Sequence, residues 1–214
     1  MALDPRHETD AGIGDIVSFD DEQLILVDDL DHETGHLDKG ACHDGDGVLH
    51  RAFSLFIFND EGELLLQQRA ADKRLWPLYW SNSCCSHPRQ GESMTHATRR
   101  RLEQELGLTA ELEFLYKFQY HARFGEIGSE RELCWVFAGR AGRKPHINAN
   151  EIAAARYIAA AALDDELQAS PETFTPWFKM EWTRLRSEFA APLARYLEPD
   201  RSSSEQSAAR AGSR

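Results

Sequence analysis

The apolar positions of the chain follow two different periods. Residues 53–58 (FSLFIF) form an unbroken apolar run, short enough for a strand buried on both faces, and residues 63–68 (ELLLQQ) repeat it after the turn Asn59-Asp60-Glu61-Gly62. The two predict a hairpin. Residues 112–124 and 130–139 predict two more strands, joined through Gly125-Glu126-Ile127-Gly128. In the second of these, Glu130, Glu132 and Cys134 alternate with Arg131, Leu133 and Trp135, which puts both carboxylates on one face. Shorter strands are expected at 16–19, 23–28 and 152–158, and the polar, Gly-rich stretch 31–47 reads as a loop.

A helical period replaces the alternation after Ser93. Ala97, Arg101 and Glu105 fall four apart on one face, beside a more apolar stripe of Met94, Thr98, Leu102 and Leu106, with Ser93 placed to cap the helix and Gly107 to end it. A short helix is expected over 159–168, and a long one from Thr175 to about Leu197 with Pro176 in its first turn. The packing stripe of the long helix is Phe178, Trp182, Leu185, Phe189, Leu193 and Tyr196; Trp177 lies off it.

Length and charge limit the function classes. The 214 residues suit one domain at 15–198, between an acidic N-terminal arm (1–14) and a polar tail (199–214), both expected to be disordered. The net charge of -12 belongs to the first fifty residues, where fourteen Asp and Glu face only Arg6 and Lys39. An acidic arm argues against a nucleic-acid or membrane-surface partner. With no apolar run of membrane-spanning length and no secretory signal, a cytoplasmic protein is expected, and a monomer. Cysteines 42, 84, 85 and 134 form no disulfide framework and are expected to be reduced.

The stretch SNSCCSHPRQGESMTHATRRRLEQELGL, residues 81–108, joins a Cys-Cys-Ser-His-Pro turn to the capped helix. Glu92, Arg100, Glu105, Gly107 and Leu108 resemble the Nudix box, a loop-helix-loop that binds a divalent cation and a diphosphate. Ser86 stands where the box has its first Gly, and Arg101 and Gln104 stand where it has acidic residues. That thinned glutamate cluster, behind Ser81-Asn82-Ser83-Cys84-Cys85-Ser86-His87-Pro88, resembles the type 1 isopentenyl diphosphate isomerases. The likeness runs from about Leu24 to Leu197 and implies an α/β fold, a Nudix-type α/β/α sandwich around a mixed sheet, and a prenyl diphosphate substrate.

The resemblance also implies roles. His43, His50, His87, Glu130 and Glu132 match positions that hold a divalent metal, for which nitrogen and oxygen donors suit Mn2+, Zn2+ or Mg2+. Glu105, with the main-chain carbonyl of Cys85, would hold a Mg2+ ion on the substrate diphosphate. Lys39, Arg69, Lys73 and Arg101 would supply positive charge there, and Ser86 a hydrogen bond. Cys85 and Glu132 match the family's acid/base pair, Tyr120 would join the proton relay, and Trp177 would cap a carbocation. Taken singly, these residues have plainer readings. A lone His or an acidic pair on a strand is usually solvated, Glu105 pairs with Arg101 at i,i+4, and Trp177 fills a core. A Nudix hydrolase is the alternative activity, set back by Arg101 and Gln104; a zinc-stabilised binding module would leave Cys85 and the cations without a role.

Overall fold

The computed structural model describes Gly12 and residues 14–200. The arm and tail expected to be disordered lie outside the described residues, apart from Gly12, Gly14, Pro199 and Asp200.

The fold is organised on β3 (His50–Phe58). It pairs in parallel with β8 (Gly128–Arg140), from His50 opposite Glu132 to Phe58 opposite Arg140, and antiparallel with β6 (Cys84–Ser86). Its ends meet β1 (Gln23–Val27) and β4 (Leu64–Arg69). The sheet is completed by β2 (Glu33–Asp38) on β1, β7 (Leu112–Phe124) on β8, and β5 (Trp80–Ser81) and β9 (Ile152–Ile158) on β4. Among the strand pairs of the described residues only β3 with β8 is parallel, so the sheet is mixed.

Helices cover both faces, and this explains the unbroken apolar run of β3. Phe53, Leu55 and Ile57 pack with Leu65 and Cys84 under Ala97, Leu102 and Leu106 of α2 (Met94–Leu106). Ala52, Phe56 and Phe58 face the other way, towards Phe178, Trp182 and Leu185 of α4 (Pro176–Ser187) and Leu193 of α5 (Ala190–Leu197). Every β3 position from Ala52 to Phe58 is buried, and a fully buried Phe, Leu or Ile contributes about 1.5–3 kcal/mol. On α2, the Ser93 hydroxyl accepts from the His96 N–H, and Gly107 ends the helix at φ 61, a left-handed conformation that suits glycine.

Three expectations need correction. Residues 16–19 form no strand, because their main chain bonds to side chains instead of a neighbouring strand. The polar stretch 31–47 holds β2 and a four-residue helix, α1 (Lys39–Cys42); β2 pairs fully with β1 but is exposed at the sheet edge, so it carries no apolar signal. The long C-terminal helix is broken at Glu188 and Phe189 into α4 and α5, and Phe189 and Tyr196 are only partly buried. The short helix, α3 (Ala160–Ala169), falls one residue later than expected. All four cysteines are free thiols.

Candidate functional site

The register of β3 against β8 builds the first part of the site. It sets His50 directly opposite Glu132, and the two-residue repeat of β8 puts Glu130 on the same face. His87 enters from the end of β6 and His43 from the end of α1. Gly128 permits the approach of α1, since a Cβ there would stand 2.2 Å from the His43 carbonyl oxygen, which instead accepts from the Ser129 N–H at 3.0 Å.

The three imidazoles surround one point, with ring centroids 4.8–5.3 Å apart. One ligand atom from each of His43, His50, His87, Glu130 and Glu132 falls within 4.8 Å of every other. Main-chain carbonyls fix two of the rings, because Nδ1 of His43 lies 2.6 Å from the Lys39 oxygen and Nδ1 of His50 2.7 Å from that of Val48. Each Nε2 is thereby aimed inwards, in position to offer a lone pair to a bound metal. The Nε2 of His43 lies 2.8 Å from Glu130, and that of His87 2.9 Å from Glu132. The Nε2 of His50, fully buried, has no hydrogen-bond partner. Three imidazoles, two carboxylates and that orphaned nitrogen suit a divalent cation. Burial and the two neighbouring imidazoles hold His87 far below its usual range, hence neutral. Burial would raise Glu132, yet His50, Tyr120 and His43 hold it below the usual carboxylate range.

A cavity of about 350 Å3 opens beside this cluster. Cys85, Ser86, Tyr120 and Trp177 line it next to His43, His87, Glu130 and Glu132, while Lys39, Arg69, Lys73, Arg101 and Glu105 line the rest. His50 sits behind the rest of the cluster, with no exposed surface. The Tyr120 hydroxyl donates to Glu132 Oε2 at 2.6 Å. Burial pushes the Cys85 thiol up to about 12, so it carries its proton at neutral pH. Cys84, the neighbour on β6, turns into the α2 core and donates to Glu105 at 3.4 Å.

Trp177 is 2% exposed, and its Nε1 has no partner. Trp76 meets its ring edge-on at 5.2 Å, and the Arg69 guanidinium lies 5.4 Å from its centroid. Arg69 also donates to the carbonyls of Leu75 and Trp76, so it organises this loop as well as lining the cavity. The Arg101 to Glu105 pair forms as expected, at 2.7 Å. Against burial, Glu105 and Glu151 hold Arg101 firmly protonated.

Three features escaped the sequence reading. Residues 14–20 lie across the cationic end: Val17 O accepts from Arg101 at 2.6 Å, Asp15 O from Asn148 at 2.8 Å, and the Ser18 hydroxyl from Lys39. Glu151 joins Lys73 and Arg101. Glu181 of α4 is fully buried on the Cys85 side of the sheet, 3.5 Å from Cys134, with Oε2 unpartnered; burial raises its carboxyl to about 8. Main-chain carbonyls near the N-terminus, and single acidic residues in a loop or on a helix face, carry no motif that marks them.

A sheet covered by helices on both faces, with a capped charged helix beside the cavity, is the arrangement of the Nudix class, and residues 48–178 match the NUDIX domain family. The crystal structure of DR0079 from Deinococcus radiodurans shares the fold at TM-score 0.57 and 22% identity, covering 69% of this chain and 90% of that one. A MutT NUDIX hydrolase from Burkholderia pseudomallei does so at TM-score 0.52 and 18% identity, covering 64% and 98%. Within that class the chain belongs to the isopentenyl-diphosphate Delta-isomerase family. It is 45% identical over 163 residues to isopentenyl-diphosphate Delta-isomerase 1 of Photorhabdus laumondii, spanning 75% of this chain and 93% of that protein. It is 43% identical over 158 residues to the isopentenyl-diphosphate Delta-isomerase of Serratia proteamaculans, spanning 74% and 88%. No helix among the described residues is long and apolar enough to cross a membrane.

Proposed function

We propose that this enzyme performs its family's reaction, converting isopentenyl diphosphate to dimethylallyl diphosphate, with Cys85 and Glu132 as the acid/base pair. An isolated alkene offers no carbonyl to stabilise a carbanion, so protonation comes first. A proton added to the terminal methylene gives a tertiary carbocation, and loss of a proton from the CH2 on its other side gives the allylic product. Two groups are needed, one on each side of the carbon skeleton, and they exchange roles when the reaction runs backwards. The observation that carries this reading is that Cys85 and the Tyr120–Glu132 pair line one cavity whose other end is cationic.

Cys85 holds a proton, while Glu132 is ionised and accepts from the Tyr120 hydroxyl. Trp177 offers a buried π face to the cation, a contact that reaches about 2 kcal/mol when desolvated. Lys39, Arg69, Lys73, Arg101 and Ser86 bind the diphosphate, and the rings of Tyr120 and Trp177, with Trp76 packed edge-on against Trp177, form the apolar lining beside the cation. His43, His50, His87, Glu130 and Glu132 would hold Mn2+, Zn2+ or Mg2+. Glu105 and the Cys85 carbonyl would hold Mg2+ with the diphosphate. When bound, the first ion supplies positive charge that tunes the proton affinity of Glu132, and the second neutralises the diphosphate.

The test is incubation with Mg2+ and isopentenyl diphosphate in deuterated water, following carbon-bound deuterium and released phosphate together. Deuterium is expected in the new methyl group with the phosphate ester intact. Phosphate or pyrophosphate release with no label on carbon would make the protein a Nudix hydrolase instead.

A further inference from the structure

Glu151 immediately precedes β9 and is 5% exposed, yet it lines the cavity. Its Oε2 lies 2.5 Å from Lys73 Nζ and 3.1 Å from Arg101. Its main chain is fixed to both elements that bear these cations. The Glu151 carbonyl accepts from the Ala70 N–H at 2.9 Å, at the start of the loop carrying Lys73. The Glu151 N–H donates to Asn148 at 2.9 Å, and Asn148 donates from its own N–H to the Glu105 carbonyl on α2 at 2.8 Å. Burial opposes ionisation here, but Arg101 and Lys73 hold the Glu151 carboxyl down at about 2.

A count of donors shows what is left for a ligand. Arg101 has five N–H groups. Its Nε donates to Glu105 at 3.0 Å and one terminal nitrogen donates to the Val17 carbonyl at 2.6 Å, while the other terminal nitrogen stands between Glu105 at 2.7 Å and Glu151 at 3.1 Å. Among the described residues that leaves one N–H on Arg101, while Lys73 keeps two after Glu151 takes one. Lys73 is 21% exposed on a flexible stem, and Lys39 and Arg101 share its cavity. Repulsion between these cations and the hydration of an ammonium both favour a Lys73 turned out to solvent. A buried carboxylate between Lys73 and Arg101 opposes that.

We propose that Glu151 is a positioning residue for the diphosphate: it aims Lys73 and the remaining edge of Arg101 at one point, so the substrate meets fixed donors. This rests on the reading that Lys39, Lys73 and Arg101 bind the diphosphate. The sign of the effect separates it from simple electrostatics. A carboxylate acting only through its charge repels an anion, so removing it would tighten diphosphate binding; a carboxylate that positions two donors weakens binding when it is removed.

The test uses the metal-loaded enzyme and inorganic diphosphate with Mg2+, measured by calorimetry, beside KM and kcat for isopentenyl diphosphate. Glu151→Gln is expected to weaken diphosphate binding about tenfold and to raise KM to match. kcat should stay within about threefold of the parent, and Glu151→Asp should recover part of the loss. In a Lys73→Ala background the effect of Glu151→Ala should shrink, because the two residues share one route. Unchanged or tighter diphosphate binding by Glu151→Gln, or full additivity with Lys73→Ala, overturns the role of Glu151. A parent enzyme that binds no diphosphate overturns the cationic site itself and this role with it. Where Glu151→Ala folds poorly, the Gln and Asp variants decide the question.

Discussion

The two faces of the sheet treat their polar groups in opposite ways. On the α2 face, buried charge is matched: Glu92 takes two bonds from Arg100, and Glu105 accepts from Arg101 Nε and from Cys84, with a second Arg101 nitrogen 2.7 Å away. On the α4 face, polar atoms are buried and left open, among them His50 Nε2, Trp177 Nε1 and Glu181 Oε2. An unsatisfied buried group costs about 1–3 kcal/mol, so the second face gives up stability that the first retains. The end of the cavity lined by Cys85, Tyr120 and Trp177 lies on the face that gives it up, and the Nudix-like helix is a matched wall that lends Arg101 and Glu105 to the cationic end.

The adjacent cysteines break this comparison most sharply. Cys85→Ala is expected to lower isomerase turnover at least about a thousandfold with little change in stability. Cys84→Ala, on the matched face, should keep most activity and lose about 1–2 kcal/mol in denaturant unfolding. Similar turnover in the two variants would contradict the division of faces.

A smaller effect sets Glu181 apart from the matched glutamates. Burial raises its carboxyl to about 8, against about 4.3 in an unfolded chain. Between those values the folded protein binds more protons than the unfolded one, so its contribution is complete below about pH 4.3 and is lost as pH rises to about 8. Glu181→Gln removes the ionisation and should melt progressively higher than the parent from pH 6 to 8.5, by several degrees at the upper end. Parallel melting curves over that range would show that the open face carries no such penalty.

The smallest effect belongs to neither face. Leu78 adopts φ 61 in the loop before β5 and is 49% exposed. Leu78→Gly relieves a left-handed leucine without removing a buried contact, and should raise stability by about 0.5–1 kcal/mol with unchanged turnover. Urea midpoints measure it; a loss would mean that the Leu78 side chain packs in a way its exposure does not suggest.

What the sequence made legible follows the same division. Unbroken apolar runs revealed β3 and β4, and alternation, β-rich spacing and helical period revealed β7, β8, β9 and α2, because their burial is written along the chain. β2 stayed hidden because an exposed edge strand is held by main-chain bonds alone. The break between α4 and α5 stayed hidden because Phe189 continues the apolar spacing while its backbone leaves the helix. Of the site, every residue read from the motif comes together around one cavity, with His50 just behind it. Val17, Glu151 and Glu181 were not legible. Val17 acts through its carbonyl, which has no side-chain signature, and the two glutamates depend on what surrounds them once folded.

The parallel seam between β3 and β8 also sets a schedule for synthesis. His50 and Glu132 are register partners, yet the whole Nudix-like helix and β7 are made between them. As the chain leaves the ribosome, the doubly apolar β3 emerges long before its principal neighbour, with only the short antiparallel pairings of β1, β4 and β6 to shelter it. Contacts of such sequence separation form slowly, and the interval exposes aggregation-prone strand surface. A nascent chain halted ahead of β8 would therefore be a client for chaperones, and the histidine cluster would close only once β8 had brought Glu130 and Glu132 to it.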